Sequence, residues 1–167
     1  MRYNKIRKMD ISNGEGVRVS LFVQGCSFHC KNCFNQETWD FNKGKEFTTI
    51  EANKIVQLAN KDYINGLSVL GGEPLHPKNI EGVSMLCEYF KYKYPYKTIW
   101  LWTGFRYEDI LKRENNYNIF NYIDVLIDGQ FEEDKKDLTL KWRGSSNQRI
   151  IDCKKSLAEN KIVLKEE

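Results

Sequence analysis

The chain has 167 residues, about one domain's worth, and its 26 Lys and Arg against 23 Asp and Glu leave a formal net charge of +3. Hydrophobic residues at 41% and aromatics at 13% exclude a disordered chain, and the near balance of charge argues against a nucleic-acid partner. No apolar run approaches the roughly 20 residues of a membrane span. Met1-Arg2-Tyr3-Asn4-Lys5 has no apolar stretch behind it, so export is not expected. A soluble, cytoplasmic protein, away from membranes and with one domain over 1–167, is the expectation.

In chain order, Arg2, Lys5, Arg7 and Lys8 predict a solvated charged face. Val17 to Val23 is β-branched and apolar and predicts a buried strand. Thr48 or Thr49 is placed to cap a helix carrying Ile50, Ile55, Val56, Leu58 and Ala59. Gly66 to Leu70 predicts a second strand. Asn79 is placed to cap a second helix, with Val83, Leu86, Cys87 and Phe90 on one face. Thr98 to Trp102 and Asp124 to Ile127 predict two more strands. Trp100 and Trp102, on either side of Leu101, are expected to divide between the core and the helix layer. Strands alternating with helices at this spacing predict an α/β fold with a mostly parallel sheet. Functional loops of such folds lie at the carboxyl ends of the strands. Those ends here read Gly25-Cys26, Gly71-Gly72-Glu73-Pro74, Thr103-Gly104 and Asp128-Gly129.

The chain has five cysteines, an odd number, and three of them, Cys26, Cys30 and Cys33, form a C-x3-C-x2-C loop after the first predicted strand. Such clustering argues for a metal centre rather than a disulfide framework. A [4Fe–4S] site usually takes four cysteines, so this loop needs a remote fourth ligand or leaves one iron open. A structural zinc with His29, Cys87 or Cys153 as fourth ligand is the plainer alternative, but zinc sites favour a second cysteine pair, and none follows. His29, held between two cysteines, is expected to be a loop residue, and Cys87 a core thiol. Cys153, beside Asp152 and lysines, is expected to be exposed or half-buried. Gly71-Gly72-Glu73 permits close backbone approach and sets a carboxylate where it can grip an ammonium group.

Together these motifs resemble the radical S-adenosylmethionine superfamily. Within it the chain resembles the activating enzymes of anaerobic (class III) ribonucleoside-triphosphate reductases. The resemblance rests on Asn13-Gly14-Glu15-Gly16-Val17-Arg18, on the loop from Gly25 to Asn35, and on Gly71 to Asn79. It extends through Leu101 to Phe105 and Asp124 to Phe131 to Trp142-Arg143-Gly144-Ser145-Ser146-Asn147-Gln148. It implies an incomplete, splayed parallel (β/α) barrel. It also implies a [4Fe–4S] cluster held by Cys26, Cys30 and Cys33, whose fourth iron chelates S-adenosylmethionine. Gly71, Gly72 and Glu73 would meet the methionine amine, Asn32 and Phe34 the adenine, and Thr103 and Asp128 the methionyl or ribose part. The implied reaction is reductive cleavage of S-adenosylmethionine, with a glycyl radical made on the large reductase subunit. The electron would come from a low-potential donor such as flavodoxin or ferredoxin. Departures are Asn32, where many members have an aromatic residue, and Glu15, where proline is common. Activation of another glycyl-radical enzyme, a zinc-stabilised binding module and a simple iron–sulfur electron carrier are the alternatives. The Trp142 to Gln148 segment has no role that the sequence explains.

Overall fold

The computed structural model describes residues 1–166; only Glu167, the end of the expected domain, lies outside them. Eleven elements follow one another: β1 (Arg2–Asp10), β2 (Val17–Val23), β3 (Lys45–Glu46), α1 (Thr49–Leu58), β4 (Ile64–Gly71) and α2 (Ile80–Lys93) come first. Then come β5 (Thr98–Trp102), α3 (Tyr107–Lys112), β6 (Val125–Asp128), β7 (Arg149–Asp152) and α4 (Cys153–Glu159). One seven-stranded open sheet has the order β3-β1-β2-β4-β5-β6-β7. Its centre, β2-β4-β5-β6, is parallel. Both flanks are antiparallel: β1 against β2 and β3, and β7 against β6. This is a mixed, largely parallel sheet of the partial-barrel kind.

The antiparallel flanks correct the first reading of the amino terminus. β1 pairs with β2 through two irregularities in register. Ile6 and Tyr3 pack on the main core, while the Lys5 and Arg7 cations lie over the Phe22 ring at 4.8 and 4.9 Å. A cation held over an aromatic ring covers apolar surface while keeping its charge, so a charge-rich segment can still be a strand.

One sheet face is covered by α1 and α2. Val19, Leu21, Val23, Leu67, Val69, Ile99 and Leu101 point there and are fully buried with Ile55, Val83, Cys87 and Phe90. Each such side chain contributes roughly 1.5–3 kcal/mol by leaving water. Thr48 caps α1 through a reciprocal pair with Glu51. Asn79 does not cap α2 with its side chain; Nδ2 donates instead to the Gln24 and Glu73 carbonyls. Lys97 is buried, and its Nζ donates to the carbonyls of Ala59, Lys61 and Ile64, which closes the turn from α1 to β4.

The opposite face carries a smaller cluster of Trp100, Val125, Ile127 and Ile150, with Trp102 and Trp142 packed on it. Trp100 and Trp102 therefore share a face, with ring centroids 6.1 Å apart. The expected division between core and helix layer fails because strand side chains alternate with a period of two. On the same face the buried Arg18 guanidinium donates to Ser68 Oγ, Thr98 Oγ1 and the carbonyls of Glu15, Leu67 and Thr98. Burial lowers its pKa to about 10, which leaves it charged at neutral pH. No helix among the described residues is long and apolar enough to cross a membrane.

Candidate metal and cofactor site

The carboxyl ends of β2, β4, β5 and β6 form one rim, and the loops leaving them are tied to one another. The Glu73 N–H donates to the Gly25 carbonyl at 2.7 Å, joining the turn after β4 to the loop after β2. Asn35 Nδ2 donates to the Gly71 carbonyl at 3.3 Å, a second tie between the same loops. Gln24 is buried, and its Nε2 donates to the Glu37 and Asp40 carbonyls, pinning the far end of the cysteine loop. Phe28 leans on Phe105 with centroids 4.8 Å apart. A Cβ on Gly104 would meet the Phe28 ring at 2.6 Å, so only glycine lets the loop close on the end of β5.

Cys26, Cys30 and Cys33 sit together on this loop, all free and partly exposed. Two non-glycine residues between them, His29 (φ 49) and Asn32 (φ 57), are left-handed, which folds eight residues into a tight wrap. His29 is a loop residue and stacks flat on Trp39 at 4.4 Å. Asn32 and Phe34 are exposed beside the third cysteine, and Phe34 packs against Phe131 at 5.0 Å. A cavity of about 490 Å³, lined by Cys26, His29, Trp39, Phe41 and Lys78 among others, adjoins the loop.

Backbone donors are aimed at all three sulfurs. The Asn35 amide donates to Cys33 Sγ at 3.4 Å, and the amides of Phe28 and His29 at Cys26 and of Phe131 at Cys30 favour the anionic form of those sulfurs. Burial nonetheless pushes the Cys26 thiol up to about 11, and the Cys30 thiol also rises. The other two thiols are elsewhere. Cys87 is a core thiol, as expected. Cys153 is fully buried too, against the expectation of exposure. It opens α4, whose cap Asp152 accepts from the Lys155 N–H, and this turns the thiol inward.

Glu73 is buried, and its carboxylate is committed inside the protein. Oε1 accepts from the Gly104 N–H at 2.6 Å. Oε2 accepts from the Leu75 N–H at 2.8 Å and the Thr103 hydroxyl at 2.6 Å. Burial raises its pKa to about 7 against the pull of those three donors. Gly71 has φ 133, where side chains are rarely accommodated, and its carbonyl faces the cysteine loop. Asp128 is also fully buried. Its oxygens accept from Arg149 Nε and Nη2 and from the Tyr107 N–H, and Arg149 reaches on to Glu108. Thr103 and Asp128 therefore brace the rim through protein partners. Asn35, Gln24 and Gln130 were not singled out by spacing; each acts through a contact across the rim that only the folded chain creates.

Residues 12–151 match the family model described as a 4Fe-4S single cluster domain. The chain is 43% identical over 150 residues to the anaerobic ribonucleoside-triphosphate reductase-activating protein of Enterobacteria phage T4, covering 90% of this chain and 93% of that protein. Its identity to the protein of the same name from Escherichia coli strain K12 is 39% over 152 residues, covering 90% and 97%. The Vibrio cholerae counterpart is 40% identical over 152 residues, with the same coverage. The chain belongs to the family of anaerobic ribonucleoside-triphosphate reductase-activating proteins.

The residues of this family member fit a cluster. Soft thiolate donors suit iron–sulfur sites, and amide hydrogens directed at the sulfurs stabilise their anionic form. Among the described residues, six buried side-chain polar atoms have no partner, and two of them, Gln24 Oε1 and Trp39 Nε1, lie at the two ends of the cysteine loop. Among the same residues no three His, Cys, Asp or Glu side chains are grouped tightly enough to hold a single metal ion.

Proposed function

We propose that the protein reductively cleaves S-adenosylmethionine and thereby activates an anaerobic ribonucleoside-triphosphate reductase by forming a glycyl radical on it. The observation that carries this reading is the cysteine arithmetic of a 4Fe-4S domain. Three partly exposed thiols share one loop, while Cys87 and Cys153 are packed in the core. Cys26, Cys30 and Cys33 would hold three irons and leave the fourth for the amino and carboxylate groups of S-adenosylmethionine. When bound, the cluster would supply the one electron that reductive cleavage of the sulfonium to methionine requires, and the adenosyl fragment would take hydrogen from a glycine Cα of the reductase.

The protein's own residues position and enclose. The left-handed His29 and Asn32 shape the loop, and the amides of Phe28, His29, Asn35 and Phe131 offset negative charge on the thiolates. Gly71 and Gly72 offer backbone to the methionine amine. Glu73 acts there by fixing Thr103, Gly104 and Leu75, since its own oxygens already have those donors. The exposed Asn32 and Phe34 supply the adenine side of the site. Thr103 and Asp128 hold strand ends in place. The open barrel leaves one side for a polypeptide loop of the large reductase subunit. Flavodoxin or ferredoxin is the class of electron donor expected.

Anaerobic loading with iron and sulfide, followed by dithionite and S-adenosylmethionine, tests this reading. Methionine and 5′-deoxyadenosine in equal amounts are expected. A fully loaded protein that releases neither would overturn it.

A further inference from the structure

The Trp142 to Gln148 segment has no role in the reading above, yet its side chains contact the rim. Gln148 Oε1 accepts from the Gly144 and Ser145 N–H groups at 3.0 and 3.2 Å, which closes the segment into a turn. From that turn three bonds reach the chain just after β6. Gln148 Nε2 donates to the Gly129 carbonyl at 3.0 Å, and Asn147 Nδ2 to the Gln130 carbonyl at 2.7 Å. Ser145 Oγ accepts from the Glu132 N–H at 3.2 Å. The stretch held this way, Gly129 to Glu132, is the one that meets the second cysteine: Cys30 Sγ lies 3.9 Å from Gln130 Oε1. The Phe131 N–H is directed toward the same sulfur and favours its anionic form. Gly144 is part of the fit, because a Cβ there would meet the Phe34 ring at 2.8 Å and the Phe131 ring at 3.0 Å.

We propose that the Gly144–Gln148 turn is a positioning element for the cluster, in which Asn147 and Gln148 hold the Gly129–Phe131 backbone against the Cys30 sulfur. This rests on the cluster reading above. A free thiol donates to Gln130 Oε1; a metal-bound thiolate has no proton to give, and a half-turn of the Gln130 amide presents Nε2–H instead. The Phe131 N–H needs no such change. Donors to a cluster sulfur favour the reduced, more negative state and so raise the reduction potential. Asn147 and Gln148 thus set how readily the cluster accepts its electron, although neither touches the sulfur.

The test is the reduction potential of the iron-loaded protein, followed by electron paramagnetic resonance during a dithionite titration. Gln148→Glu keeps the acceptor that closes the turn but loses the donor to Gly129; Asn147→Leu loses the donor to Gln130. Both are expected to load iron as the parent does and to shift the potential to more negative values, and Gln130→Leu to shift it in the same direction. Trp142→Phe, which loosens packing on Trp100 without touching these bonds, is expected to lower the melting temperature and leave the potential in place. Unchanged potentials in loaded Gln148→Glu and Asn147→Leu would overturn the proposal, as would an equal shift in Trp142→Phe. Failure of the parent chain itself to take up iron would instead count against the cluster reading.

Discussion

On the helix-covered face of the sheet, Leu21, Leu67, Val69, Ile99 and Leu101 are fully buried among the side chains of α1 and α2. At the rim, the cysteine loop is partly exposed, carries left-handed residues that are not glycine, and is flanked by buried polar atoms without partners. The first region is held by apolar area, the second by hydrogen bonds from one loop to the next. The contrast shows how stability and chemistry are divided here. The packed face fixes where the strand ends lie, and the rim is then free to keep donors and thiols in arrangements that a packed core would not tolerate.

Substitutions can break that division, and the largest effect is expected at the rim. Alanine at Cys26, Cys30 or Cys33 should abolish the visible iron–sulfur absorbance and all S-adenosylmethionine cleavage while leaving the far-ultraviolet circular dichroism unchanged. Alanine at Cys87 or Cys153 should leave the absorbance intact. The packed face should answer in the opposite way. Leu101→Ala should cost about 2–5 kcal/mol in urea unfolding, with iron uptake retained wherever the chain stays folded.

Glu73 lies where the two regions meet, and its pH dependence sharpens the comparison. Its folded pKa of about 7 lies above the ordinary 4.5 because of burial, so the folded chain keeps a proton that the unfolded chain releases. Its contribution to stability is complete below about pH 4.5 and is lost as pH rises through about 7. Urea unfolding of the metal-free protein across that window should show a decline that Glu73→Gln lacks, on the order of 3 kcal/mol. A smaller effect is expected at the opposite end of the sheet. Lys97→Met strips three carbonyls, those of Ala59 and Ile64 buried, of their donor and should cost about 1–3 kcal/mol, with no change in cluster absorbance.

The two regions were also unequally legible in the sequence. The central strands and α1 and α2 follow from apolar periodicity, which is the same physics that packs them. The cysteine loop and Gly71-Gly72-Glu73 could be placed on one rim because parallel strands deliver their carboxyl ends to one side. β1 was hidden because Lys5 and Arg7 read as solvated charge, although their cationic groups lie over the Phe22 ring. β7 and α4 were hidden because four and seven residues are too few to show a period. The commitment of Glu73 to Thr103 and Gly104, and of Asp128 to Arg149, joins residues 21 to 31 positions apart, and no local pattern announces such pairs. For the same reason the Trp142 to Gln148 turn gained a role only when its bonds to Gly129 and Gln130 could be seen.

The most direct measurement mixes the iron-loaded, reduced protein with S-adenosylmethionine and an anaerobic ribonucleoside-triphosphate reductase, then records the electron paramagnetic resonance spectrum. A glycyl-radical signal on the reductase, absent when Cys26, Cys30 or Cys33 is alanine, is the expected result. Release of 5′-deoxyadenosine without any radical on the reductase, or a radical that survives loss of one of these cysteines, would contradict it.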